Sequence, residues 1–223
     1  DVVIRGYQKV MSASALPRDV TAAPSDARTL LLDTASGLMR EGDIFDVSLS
    51  EISKRSGLNS ALVKYYFGNK AGLLKALIER EWTVIVRTVE ALLAMEADPE
   101  TKLRIHMTGV VENFFRTPYT HRLLMRLIRE EESAEAQRLA DSYLKPLMAA
   151  YDQLIGEGVA AGVFRSVDPQ LFYFTVIGAA DRFFSARLVL RHCSETDVLE
   201  EALRDRYRTH LNDFVIAGIL VKP

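Results

Sequence analysis

Residues 48–75 read SLSEISKRSGLNSALVKYYFGNKAGLLK, and their spacing predicts two short helices joined at a glycine turn, with a third opening at Asn69–Lys70. Ser48 followed three residues later by Glu51 is a capping box, so the first helix is expected to begin at Leu49. Gly57 can take the positive φ that ends that helix, where a Cβ would be strained. Asn59 can cap the second helix, expected over Ser60–Phe67; Gly68 then breaks it and Asn69 caps the next. In a helix-turn-helix the first helix crosses the second, leaving the second free to enter a DNA major groove. The crossing requires a small residue on helix one, a glycine in the turn and an aliphatic residue inside helix two. Ser53, Gly57 and Val63 meet those needs, with Ile52, Leu58 and Leu62 as apolar neighbours.

Asn59, Ser60 and Lys64 share one face of the second helix, and Tyr65 lies beside it. Base edges are read by hydrogen bonds and phosphates by charge, so these four are the expected DNA contacts. Ser48 and Lys70 open helices whose free amides and positive dipole end can hold a phosphate.

The run Gly57-Leu58-Asn59-Ser60-Ala61-Leu62-Val63-Lys64-Tyr65-Tyr66-Phe67, with Lys70 and Leu73-Leu74 after it, resembles the signature of the TetR family of bacterial transcriptional regulators. The resemblance extends from Arg28 to Leu77. A weaker one joins Gly156-Glu157-Gly158-Val159, Gly162-Val163-Phe164-Arg165 and Asp168-Pro169 to a turn often found in the family's second domain. Two departures bear on base preference: Lys64 where the family commonly has tyrosine, and Leu62 where it often has Ser or Thr. The resemblance implies a regulator, most simply a repressor, that binds a pseudo-palindromic operator as a homodimer and is released by a small-molecule effector. It also implies that Arg28 sits near the DNA backbone.

The whole chain of 223 residues is 48% apolar and 26% charged, ordinary for a folded protein with a real core. A formal charge of −2 means that any basic surface for DNA must be local. The single cysteine, Cys193, excludes an intrachain disulfide and fits a reducing compartment. No apolar run approaches a bilayer's span and no signal-peptide h-region opens the sequence, so a soluble cytoplasmic protein is expected.

Residues 1–24, rich in Ala, Ser and Val, show no sustained period and are expected to form a flexible arm. Its Arg5, Lys9 and Arg18 could reach DNA, although a plain disordered tail is the simpler reading. From Ser25, Leu30, Leu31, Thr34, Ala35, Leu38 and Met39 recur at helical spacing up to Gly42, and Ile44 and Phe45 lead into the capping box. The chain then reads helical over about 70–95, 100–116, 119–131, 134–161, 169–191 and 195–218, with Pro146 expected to kink or break the fourth. Hairpin signals are lacking. The expected fold is all-α: a three-helix helix-turn-helix domain over 25–75 and a larger helical ligand-binding and dimerisation domain over 76–223.

Trp82, Phe114, Phe115, Met125, Met148, Tyr151 and Phe172 are the candidates for lining a cavity between helices, though an aromatic and Met stripe is more often plain core. The stretch 171–180 is apolar nearly all round and needs cover on more than one side, from its own core and from a second copy of the chain. Phe174 and Gly178, with Leu199, Leu203, Tyr207, Leu211 and Phe214 of the last helix, are the expected dimer interface. Asp181 interrupts that stretch and is expected either to mark a polar contact to a ligand or an interface ion pair, or to face solvent at its edge. His106, His121, His192 and His210 form no metal-like pair, and neither a phosphate loop nor a nucleophile elbow is present. Glu130-Glu131-Glu132 reads as a solvated face. No cofactor and no catalysis are expected; the alternatives are an all-helical enzyme or a helical scaffold that does not bind DNA.

Overall fold

The capping box forms as its spacing predicts. Ser48 Oγ accepts from the Glu51 amide at 3.1 Å and the Glu51 carboxylate accepts from the Ser48 amide at 3.1 Å, opening α3 (Leu49–Ser56). Gly57, at φ 72°, closes it. The computed structural model describes residues 2–14, 24–42, 44, 46–130, 133–194 and 197–221. Arg18, Phe45, Glu131 and Glu132 lie outside them.

Among the described residues the protein is all-α. The head comprises α2 (Pro24–Gly42), α3 and α4 (Ala61–Phe67). The second motif helix starts at Ala61, one residue later than expected, because Asn59 Oδ1 takes the Ala61 amide at 2.8 Å and Ser60 makes no cap bond. Leu31, Leu32, Ala35, Met39, Val47, Ile52 and Val63 are buried between these helices. Leu30 is 43% exposed, and Leu32 takes its place on the inner face.

The body begins at α5 (Lys70–Leu93) and continues through α6 (Pro99–Arg116), α7 (Thr120–Glu130) and α8 (Ser133–Leu139). A π turn at 140–144 leads into α9 (Lys145–Ala160). Pro146 explains that widening. Without an N–H it cannot close the usual bond to the preceding turn, and the Lys145 amide reaches the Ala140 carbonyl instead. Then come α10 (Pro169–Ser185), α11 (Arg187–Ser194) and α12 (Glu201–Ile219). The single helix expected over 169–191 is thus two. Past the bend at Ala186, Arg187 bonds Asp197 at 2.9 Å and, at 2.7 Å, the Glu41 carbonyl at the end of α2. The last helix starts at 201 because Asp197 holds a turn before it, accepting from the Leu199 amide.

The N-terminal segment corrects the expectation of an arm. Residues Val2–Ser14 form a helix, α1, that packs on α5 and α6. Val3, Tyr7 and Val10 make a short stripe at helical spacing, against Leu92, Met95 and Ile105. Burying Val10 alone is worth about 1.5–3 kcal/mol. Gly6 lies so close to Ile105 that a Cβ would overlap it, and Tyr7 covers Gly109 in the same crossing.

One hydrophobic cluster runs unbroken from Leu31 and Val63 in the head through Leu77 and Trp82 to Tyr151 and Tyr173 in the body. A second, around Phe115, Phe164, Phe184 and Ile216, fills the end formed by α6, α10 and α12. No helix among the described residues is long and apolar enough to cross a membrane.

Candidate functional site

The outer face of α4 is open. Ser60, Lys64 and Tyr65 are exposed, Tyr65 at 78%, while Val63 on the opposite face is completely buried. Asn59 is exposed at the head of the helix, its side-chain oxygen occupied by the cap. Arg28, exposed on α2, lies over the Phe67 ring at 5.3 Å, which ties the start of α2 to the end of α4.

Two expected phosphate contacts are already engaged within the protein. Ser48 Oγ donates to Glu51 at 2.6 Å as well as capping α3. Lys70 Nζ is 2.7 Å from Asp46. Burial pushes the Asp46 carboxyl up, but its hydrogen bond to Lys70 and that lysine's charge outweigh it, and the carboxyl sits below its usual range. At both places the helix-opening amides, rather than the side chains, are the groups left for an anion.

The body encloses a cavity of about 330 Å³. One side of α5, at Trp82, Ile85, Val89 and Leu92, faces one side of α6, at His106, Gly109, Val110 and Asn113. These positions recur at three and four residues, so each helix gives the cavity a single stripe. α1 supplies Tyr7, Val10 and Met11; Tyr151 of α9 and Tyr173 of α10 close another side.

Of the seven candidate lining residues, Trp82, Phe114 and Tyr151 reach this cavity. Phe115, next to Phe114, lies instead against the guanidinium groups of Arg40 and Arg204, at 5.3 and 4.8 Å. Met125 and Met148 pack at the edge of the first hydrophobic cluster. Phe172 borders a groove between α10 and α12. The sequence reading missed Tyr7, His106, Thr120 and Tyr173. The stripe Val3-Tyr7-Val10 could have revealed α1, and His106 one turn before Val110 and Asn113 could have marked the cavity side of α6.

Burial lowers the His106 pKa to about 4, raises Tyr7 and Tyr173 to about 12, and raises Tyr151 well above its ordinary value. All four are therefore neutral near pH 7. Asp181, half-buried beside the cavity, approaches His121 Nδ1 at 3.7 Å.

The expected dimer residues divide. Phe174 and Phe214 are 59% and 68% exposed, and Gly178 is exposed, so these face outward from α10 and α12. Leu211 is buried and Leu199 and Tyr207 are half-buried on the inner side, Tyr207 stacked on Phe183 at 3.7 Å, and Leu203 is half-buried. Spacing by fours drifts around a helix of 3.6 residues per turn. The stripe therefore ends in the body's own core, together with Val215, Ile216 and Ile219.

An exposed helix-turn-helix on a helical body with an internal cavity defines a class of DNA-binding, ligand-sensing proteins. The model of bacterial regulatory proteins of the tetR family matches residues 31–77, and that of the tetracyclin repressor-like C-terminal domain matches 96–223. The chain belongs to the TetR family. It is similar to the HTH-type transcriptional regulator EthR of Mycobacterium tuberculosis, at 30% identity over 120 residues, 52% of this chain and 54% of EthR. It thus spans about half the length of that relative. In fold it is similar to the ketosteroid transcriptional regulator KstR2 of Mycobacterium tuberculosis, with a TM-score of 0.69, 15% identity, and coverage of 88% of this chain and 96% of that one. Another neighbour is the regulator FadR of Bacillus subtilis in complex with stearoyl-CoA, with a TM-score of 0.58, 18% identity, and coverage of 86% and 98%.

Proposed function

We propose that this chain is a transcriptional repressor that binds a pseudo-palindromic operator as a homodimer and leaves it when a small molecule occupies the cavity. The observation that carries the reading is the open face of α4, with Ser60, Lys64 and Tyr65 directed away from a buried Val63. A single such helix reads few base pairs, so a second copy is needed for specificity. The outward Leu171, Phe174 and Gly178 of α10 and Phe214 and Gly218 of α12 offer an apolar face for that copy. Repression follows from occupying promoter DNA, and the setting is the cytoplasm.

The α5 helix joins the two functions. Its first turn follows α4, and its middle carries Trp82 on the cavity wall. An effector that prefers a shifted α5 changes the distance between the two recognition helices. Loosening DNA ten- to a hundredfold takes about 1.4–2.7 kcal/mol of such preference. The FadR neighbour holds stearoyl-CoA, and the walls described above favour a largely apolar effector here too.

Selection of bound sequences from a random duplex pool tests the reading. A two-fold symmetric site with half-sites about 34–36 Å apart or somewhat more is expected. On that site Lys64→Ala should lower the salt slope by about one unit per subunit if Lys64 holds a phosphate. If instead it reads a guanine, it should relax one position per half-site by roughly 1–3 kcal/mol. Recovery of no specific site would refute DNA recognition; a protein monomeric at micromolar concentration would refute the dimer.

A further inference from the structure

Most buried polar side chains of the body have partners. Lys102 donates to the Leu93 carbonyl at 3.0 Å and to Glu157 at 3.1 Å, Tyr119 donates to Ser36 at 2.8 Å, and Thr108 donates to the Arg104 carbonyl at 3.0 Å. The cavity wall differs. Trp82 Nε1, His106 Nε2, Thr120 Oγ1 and Tyr151 Oη are each shielded from solvent and have no hydrogen-bond partner, and all four residues line the same space. Trp82, Thr120 and Tyr151 are 2–3% exposed. Leaving such groups unmade is costly, and four around one cavity is a concentration that packing alone does not require.

Glu81, on the same wall, is held by Arg80 at 2.8 Å, Asp181 lies 3.7 Å from His121, and Arg116 is an exposed residue bonded to the Tyr7 hydroxyl. Trp82, His106, Thr120 and Tyr151 are themselves neutral, so an ammonium or a carboxylate seated against these four would meet no opposite charge among them, and burying an unpaired ion is prohibitive. The indole N–H can only donate, so its partner must bring an acceptor.

We infer that the cavity takes an uncharged, mainly apolar molecule carrying a hydrogen-bond acceptor such as a carbonyl or ether oxygen, received by Trp82 and Tyr151 with Thr120 and His106 beside them. This rests on the proposed function and specifies its effector. The volume is at the lower end for small-molecule sites and suits a compact or medium-chain ligand. His106 stays neutral through the physiological range, so it adds no charge to the site between about pH 6 and 8.

The test uses the full chain and three probes of matched length: methyl nonyl ketone, decanoate and decyltrimethylammonium. Binding is followed by calorimetry, with the sole tryptophan, Trp82, as a fluorescence reporter in the wild type. The ketone should bind at least about tenfold more tightly than either ion. Tyr151→Phe and Trp82→Phe should each weaken the ketone by about three- to tenfold. Tyr151→Phe should leave the melting temperature of the free protein unchanged or raised, because it removes an unsatisfied hydroxyl, whereas a merely structural tyrosine would lower it. Thr120→Val gives a second variant of nearly equal shape. An ion bound as well as the ketone overturns the ligand class, and unaltered ketone affinity in both aromatic variants overturns the site. If no probe binds while the selected operator is still retained, the cavity is a water pocket and the effector inference falls, but DNA recognition stands. Loss of operator retention as well would indict the broader reading.

Discussion

In the head, the helix-capping polar groups find partners within three residues: Ser48 with Glu51, Asn59 with Ala61, Asn69 with Gly72. Ser53 Oγ and Arg40 Nε are buried atoms of the head that have no hydrogen-bond partner among the described residues. Around the cavity of the body, Trp82, His106, Thr120 and Tyr151 come from four different helices and satisfy none of these atoms among themselves. A surface that meets DNA can be prepared by local bonds, because its partner is large, charged and outside. A cavity that meets a small molecule has to keep some bonding capacity unspent. The head is therefore completed by short-range sequence, whereas the cavity wall of the body leaves four polar atoms without partners.

The most severe test of that contrast is Gly72→Val. A Cβ there would collide with the Phe67 carbonyl oxygen, and backbone cannot yield as a side-chain end can. The α4–α5 junction should lose about 3 kcal/mol or more, and operator binding should vanish at concentrations that saturate the wild type. Ketone binding and Trp82 emission should persist; a body that collapses too would show that the shared core makes the two regions one cooperative unit.

Acid should act on the body next. The His106 pKa is about 4 in the fold against an ordinary 6.5, so between those values the unfolded chain binds the extra proton. Stability present above pH 6.5 is lost as the pH falls, by roughly 3 kcal/mol on reaching pH 4. Urea unfolding at pH 7 and near pH 4 should show a loss smaller by that order in His106→Leu. An equal loss in both proteins would place the acid sensitivity elsewhere.

Gly6→Val probes the wall made by α1. The added side chain should push α1 from Ile105 and cost about 1–3 kcal/mol, with faster amide exchange over residues 2–14 and weaker cavity binding. Operator affinity should hold if α1 serves the cavity alone. The smallest effect belongs to Ser48→Ala, at about 1 kcal/mol, seen as a lower melting temperature with cavity binding untouched.

The legible features were local ones. A capping residue, a left-handed glycine and an i, i+3 spacing act within one turn of chain, so α3, α4 and the start of α5 could be read almost to the residue. So could the inward Val63 and the outward Lys64 and Tyr65, since a helix turns by about 100° per residue and so directs them to different faces. A short stripe such as Val3-Tyr7-Val10 is a weaker signal, three residues over two turns, and it gains its weight from Leu92, Met95 and Ile105, which receive it.

By itself, then, the sequence determined an all-α chain with a helix-turn-helix near its start, because the forces that set those elements act over a few residues. Tertiary structure decided which aromatic residues also reach the cavity: Phe114 and Phe115 are adjacent in sequence and both pack on Phe184, yet of the two Phe114 lines the cavity while Phe115 lies against Arg40 and Arg204. It also decided that Leu211 turns inward while Phe214 turns outward, and that Lys70 pairs with Asp46 across the head. Those outcomes depend on contacts between residues distant in the chain, and no local spacing carries that information.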